Sequence, residues 1–158
     1  MREISCEELL TTRDVASFTG ASVFGALPEP AIQWLLERGK IHDMEPGEYL
    51  FSPGEPGNSF HVILVGRVSY HKYHLGKFGF IREYTMGEQI GFMSLIALHE
   101  RVGRVECNEP TIALEIDSHL FHEFHDEKPA DFGILMLNLA REMARTLRMV
   151  DNLLVEKS

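Results

Sequence analysis

The sequence predicts a mainly β fold with flanking helices: a small antiparallel jelly roll or barrel, closed by a long C-terminal helix. Three observations predict it. Between Pro46 and Val68, turn chemistry and strand chemistry alternate. Pro46-Gly47-Glu48, Pro53-Gly54-Glu55 and Pro56-Gly57-Asn58 are turn signals, because proline presets φ and glycine accepts positive φ. Tyr49-Leu50-Phe51 and Phe60 to Val65 are the short β-rich runs they separate, with Gly66 closing the second. Closely spaced short strands hinged by glycine are the mark of a compact all-β unit. The third observation is an apolar stripe of helical period after Pro129.

Taken in order, Ser5 followed by Glu8 is a capping box for a short helix over Cys6 to Leu10. Pro28-Glu29-Pro30 opens a second helix through Ala31 to Arg38, with Ile32, Leu35 and Leu36 as its apolar face and Gly39 as its stop. Strands and turns then fill 41–116. Arg67 to His74 and Gly79 to Thr85 read as a hairpin broken by a loop containing Gly76 and Gly79, and Ile112 to Ile116 as the last strand. Ser118 is expected to cap a short helix that stops before Pro129. In the final segment Phe132, Met136, Leu139, Met143, Leu147, Val150 and Leu154 step by three or four residues to Lys157. That stripe outruns what a small roll can cover, so its later part is expected to meet a second copy of itself, making a homodimer. The alternative is that the whole stripe packs on its own roll.

Composition narrows the function. A chain of 158 residues suits one domain, with 1–40 as N-terminal helices, 41–116 as the roll and 117–158 as C-terminal helices. No apolar run approaches the roughly 20 residues that span a bilayer, and Glu3, Glu7 and Glu8 argue against a secretory signal. A cytoplasmic protein that does not engage membranes is therefore expected. Cys6 and Cys107 are too few for a disulfide framework. A net charge of −9 lacks the basic field that grips nucleic acid, so none is expected to bind the chain by itself.

The Pro46–Val68 string resembles the cyclic-nucleotide-binding domain family, which shows a PGE, an aromatic or aliphatic pair, a GE-x-G turn and an aromatic-rich strand ending in a G-x-V hairpin. The resemblance implies an antiparallel double-stranded β-roll (jelly roll). It also implies dimerisation through the long helix, here Leu139, Met143, Leu147, Val150 and Leu154. No helix-turn-helix pattern follows that helix, so no DNA-binding domain is expected.

Family members hold the cyclic phosphate in a cassette that runs approximately GE..GE.(A/S)L and, after a loop, Arg-Ser/Thr-Ala. Here Gly87-Glu88 match the upstream pair, Gly91 the cassette glycine and Ser94-Leu95 the small residue and leucine; Arg101 falls at the phosphate arginine. The candidate ligand-binding residues are thus Gly91, Phe92, Met93, Ser94, Arg101 and Val102. Three positions depart. Phe92 stands where the family carries the ribose glutamate, and is expected to put a bulky ring in the ribose space. Val102 replaces the hydroxyl residue beside the arginine. Val150 and Asp151 lie where activator relatives carry hydroxyls near the base. Losing a charged hydrogen bond costs about 1.5–3 kcal/mol, so the Phe92 change alone weakens a ribose-bearing ligand about tenfold or more. The competing account makes Phe92 core and pairs Arg101 with Glu88 or Glu106.

Other chemistries find little support. His119, His122 and His125 step by three around a helix, His71 and His74 flank a lysine, and no cupin-like His-x-His precedes a glutamate, so no metal is expected. Nucleophile elbow, Walker loop and carboxylate dyad are all missing, so no enzyme and no cofactor is expected. Arg141, Arg145 and Arg148 read as a solvated helix face. The expectation is a sensor module with weak or altered cyclic-nucleotide binding that signals to an unidentified effector protein. The alternative is a ligand-free pseudo-receptor acting as a dimeric interaction scaffold.

Overall fold

A computed structural model describes all of residues 1–158. Strand β1 (Arg2–Ile4), helix α1 (Cys6–Leu9), two short 3-10 turns and helix α2 (Glu29–Arg38) lead into the roll. Strands β2 (Lys40–Met44), β3 (Tyr49–Phe51), β4 (Ser59–Val65), β5 (Arg67–His74), β6 (Lys77–Thr85) and β7 (Gln89–Ile90) come next. Helix α3 (Phe92–Ala97), strands β8 (Gly103–Cys107) and β9 (Thr111–Asp117), and helices α4 (Ser118–Glu127) and α5 (Pro129–Glu156) complete the chain. Two antiparallel sheets, ordered β1-β2-β9-β4-β7 and β3-β8-β5-β6, face each other. The expected antiparallel roll with a long terminal helix is what forms.

Period-2 alternation on the first sheet builds two cores. Ile41, Phe60, Val62, Leu64, Leu114 and Ile116 point outward to α2, α3, α4 and the start of α5, forming the larger core. Met44, Ile63 and Ala113 point inward to Leu50, Val68 and Val105, filling the roll. Both faces of β4 are therefore buried, which is why β4 reads as a continuous apolar run.

Several local expectations are corrected. Strand β1 was not apparent, because an exposed three-residue edge strand pairing β2 has no periodicity of its own. The β5–β6 hairpin turns at Leu75 and Gly76, both at positive φ, while Gly79 lies within β6 opposite Lys72. Asp117, one residue before Ser118, caps α4 by accepting from the Leu120 N–H at 2.8 Å. Gly39 ends α2 in extended and not left-handed backbone; a Cβ there would lie 2.6 Å from Leu114 Cδ1, so close approach demands the glycine.

Helix α5 divides along its length. Leu135, Asn138 and Leu139 are buried, and Asn138 donates to the carbonyls of Val23 and Gly25, tying the helix to the segment before α2. Beyond them the stripe is bare: Leu147 is 62% exposed and Leu154 64%.

Candidate functional site

Turn chemistry at Gly91 places the cassette. Its φ of 101° favours glycine, and a Cβ there would sit 2.6 Å from the Arg101 guanidinium. The chain turns from β7 into α3 at this point, and Arg101, on the return to β8, folds over it. A cavity of about 520 Å³ opens beside the cassette. Its walls come from the roll (Tyr70, Arg82, Tyr84), from Gly91 to Ser94 and Val102, and from the α5 face running Glu142 to Val150. Sequence candidates Gly91, Phe92, Met93, Ser94 and Val102 thus border one space, together with Met143, Leu147 and Val150 of the long helix. Leu139 is buried below it and Leu154 lies beyond it.

Arg101 is set differently from the anchor the cassette implies. It is 4% exposed and does not line the cavity. Its Nη2 donates to the Ser59 carbonyl at 2.7 Å and the Ser59 hydroxyl at 3.0 Å; Nη1 donates to the Gly91 carbonyl at 3.1 Å. The guanidinium also stacks 4.1 Å above the Phe51 ring. Neither Glu88, which pairs with Arg82, nor Glu106 is its partner: its hydrogen bonds go to Ser59 and Gly91. Burial lowers the Arg101 pKa, with Glu115 and Glu55 opposing that shift. The first N–H of α3 is likewise taken, since Phe92 N–H donates to Gln89 Oε1 at 3.2 Å.

The Phe92 ring packs into the core. It borders the cavity but is 2% exposed and belongs to the main core, edge-on to Phe60 at 5.3 Å and Phe121 at 5.8 Å. The reason is helical spacing: Phe92 and Leu95 share one face of α3, and that face packs on β4. Among the helix positions singled out from sequence, Val150 lines the cavity and Asp151 does not; the hydroxyl that does is Thr146.

Two carboxylates, Glu88 of the cassette match and Glu142 of α5, shape the electrostatics of this wall. Glu142 accepts from Ser22 Oγ at 3.0 Å, and its second oxygen is buried without a partner. Burial, reinforced by Glu88, raises its pKa. Burial also raises Tyr70 and Tyr84, whose ring stacks 4.1 Å from Arg82. Arg145 lines the cavity without a carboxylate partner, so the cavity's free cation stands on α5 and not on the cassette.

Metal-ligating side chains converge elsewhere. His119, His122 and His125 are exposed on α4. Inside the roll, however, His42, His61 and Glu115 bring one ligand atom each within 4.8 Å of one another. A hydrogen bond from His42 holds the Glu115 carboxyl down to about 2, and burial pushes His61 down to about 3. Sequence reading passed over this trio because its members are spread across three strands.

Comparison with known proteins places the fold. Residues 41–128, more than half the chain, match the family described as the cyclic nucleotide-binding domain. No curated protein sequence matches the chain. A cyclic nucleotide-binding domain from Methylobacillus flagellatus KT superposes with a TM-score of 0.83 at 17% identity, over 99% of this chain and 89% of that one. The Thermus thermophilus catabolite activator protein is similar at 25% identity and a TM-score of 0.73, over 84% of this chain, which spans 61% of the activator's length. The sensor domain of the Pseudomonas aeruginosa transcriptional regulator DNR gives a TM-score of 0.65 at 15% identity, over 84% of this chain and 90% of that domain.

Proposed function

The chain belongs to the cyclic nucleotide-binding domain family, and from that premise we propose that it is a regulatory module that couples a small ligand in the roll to the long helix, and through it to a partner protein. One observation carries this reading: the cassette residues Gly91 to Ser94 and the α5 residues Glu142 to Val150 are walls of the same cavity. A ligand there touches both, so its binding free energy depends on where α5 lies, and occupancy shifts the helix by linkage.

Cyclic AMP is expected to bind weakly. The ribose acceptor is absent, Val102 offers no hydroxyl, and Arg101 would have to leave Ser59 and Gly91 to reach a phosphate. Half-buried Glu142 adds negative potential against an anion, while Glu88 is paired with Arg82. Arg145 offers compensation from α5, which favours altered ligand preference over plain loss of binding.

The output surface is the distal half of α5. Met143, Leu147, Val150 and Leu154 are exposed in one stripe, and a second copy meeting it forms a two-fold homodimer. No helix is long and apolar enough to cross a membrane. Free Cys6 and Cys107 suit a reducing cytoplasm. The role is regulatory and assigns no reaction to the chain.

Arg101, whose two terminal nitrogens are committed to Ser59 and Gly91 while its Nε is buried without a partner, favours one alternative, a pseudo-receptor that keeps the dimer and takes no ligand. Isothermal titration with cyclic AMP, cyclic GMP and cyclic di-GMP separates the two. Saturable binding of any of them that weakens in Arg145→Ala supports the sensor; heat of dilution alone for all three supports the scaffold.

A further inference from the structure

Three strands at one end of the roll place imidazole and carboxylate groups on its inner face. In β2, His42 shares the inward face with Met44; in β4, His61 shares it with Ile63. Glu115 lies directly opposite His61 in the β4–β9 ladder, while His42 lies opposite Ala113, two residues along β9 on the same face. Register alone therefore gathers two histidines and a glutamate from strands that are immediate neighbours.

Structural duty accounts for only part of this group. His42 Nε2 bonds Glu115 Oε1 at 2.8 Å, which explains His42. His61 is left over. It is 4% exposed, its Nδ1 is fully buried without a partner, and its Nε2 stands 3.9 Å from the same carboxylate oxygen, beyond hydrogen-bond reach. A buried imidazole without a hydrogen bond from either nitrogen is costly and calls for something that binds it. Its Nε2 faces the ligand atoms of His42 and Glu115, all three within 4.8 Å.

We propose that His42, His61 and Glu115 form a binding site for one divalent transition-metal ion of the zinc class inside the β-roll. Two imidazole nitrogens and one carboxylate select a late first-row ion over calcium or magnesium, which take oxygen ligands. Ligand atoms bound at about 2.0–2.1 Å around a tetrahedral ion stand roughly 3.4 Å apart, so His42 Nε2 and Glu115 Oε1, now 2.8 Å apart, exchange their hydrogen bond for the metal and separate, while His61 Nε2, now 3.9 Å from that oxygen, closes in. Glu115, with 24% of its side chain exposed, marks the way in for an ion and leaves room for water as a further ligand. Arg101 is the opposing charge: it acts on both His61 and Glu115, so affinity is lower than in a site of the same ligands without a neighbouring cation. The proposal is independent of what occupies the cavity against α5.

The test uses the full chain, stripped with chelator, titrated with cobalt(II) by visible absorption and with zinc(II) by calorimetry at neutral pH. One equivalent is expected, with cobalt d–d bands that zinc displaces. Glu115→Gln and His61→Ala should each weaken binding by about 100-fold, at the upper end of what removing even an outer-shell partner costs. The variant His119→Ala/His122→Ala/His125→Ala, which alters only exposed side chains, should bind as the wild type does. No uptake by the wild type, or uptake abolished by the surface variant and retained in Glu115→Gln, overturns the proposal. Should either core variant fail to fold, imidazole nitrogen NMR of the wild type decides. Zinc must shift His42 and His61, and shifts confined to other histidines overturn the site.

Discussion

Replacing Phe92 by alanine should destabilise the protein far more than it alters the ligand cavity. The ring is 2% exposed and meets Phe60 and Phe121 edge-on at 5.3 and 5.8 Å. Truncating a buried phenylalanine costs about 3–5 kcal/mol, combining lost transfer energy with the void left behind. The aromatic pairs, about 0.5–1.5 kcal/mol each, are part of that sum and place Phe92 in its upper half. A loss of about 4 kcal/mol lowers the melting temperature of a domain this size by roughly 8–16 °C. Against a typical total of 5–15 kcal/mol, the variant remains folded at 20 °C or loses much of its margin. Urea unfolding followed by circular dichroism is the assay, with the midpoint falling while the slope stays constant. A loss below about 1 kcal/mol would falsify the core placement, because a ring lying in the solvated cavity has little transfer energy to lose.

Four further outcomes follow from the same geometry. Leu147→Glu with Val150→Glu should give a monomer by light scattering where the wild type is a dimer; an unchanged mass rules out the α5 stripe as the interface. Val102→Ser returns a hydroxyl to a position that borders the cavity and should raise cyclic AMP affinity about tenfold by calorimetry, whereas Phe92→Glu, which would bury an unpaired carboxylate in the core, should unfold the protein and supply no ribose acceptor. No gain would identify the withdrawn Arg101 as the missing anchor, and Arg101→Leu, which cuts its bonds to Ser59 and Gly91, should then leave affinity unmoved. Glu142→Gln should stabilise the protein at pH 7. The folded-state pKa of Glu142 is raised above 4.5, so its stability contribution is complete below that value and is lost as pH rises through the folded one. The advantage of the glutamine variant should therefore shrink toward pH 4, and a gap independent of pH would contradict the buried-carboxylate account.

Much of the fold was legible locally. Pro-Gly turns at 46–47 and 53–54, the Ser5 cap accepting from Glu8 N–H, and the three-and-four stepping after Pro129 concern residues a few positions apart, and near-neighbour preferences set them. Of the residues named from the cassette pattern, Gly91 to Ser94 and Val102 border one cavity and Arg101 does not. Spacing could not say where side chains go once strands pair. Phe92 turns to the core because α3 lies on β4, and Arg101 is spent on Ser59, 42 residues earlier in the chain. The His42–His61–Glu115 trio exists only in the register of β2, β9 and β4. A sequence by itself determines backbone tendencies and which faces are apolar, because those depend on dihedral preference and period. Which polar group meets which is decided by tertiary structure alone, because a one-residue slip of any of these strands would send its His42, His61 or Glu115 to the other face.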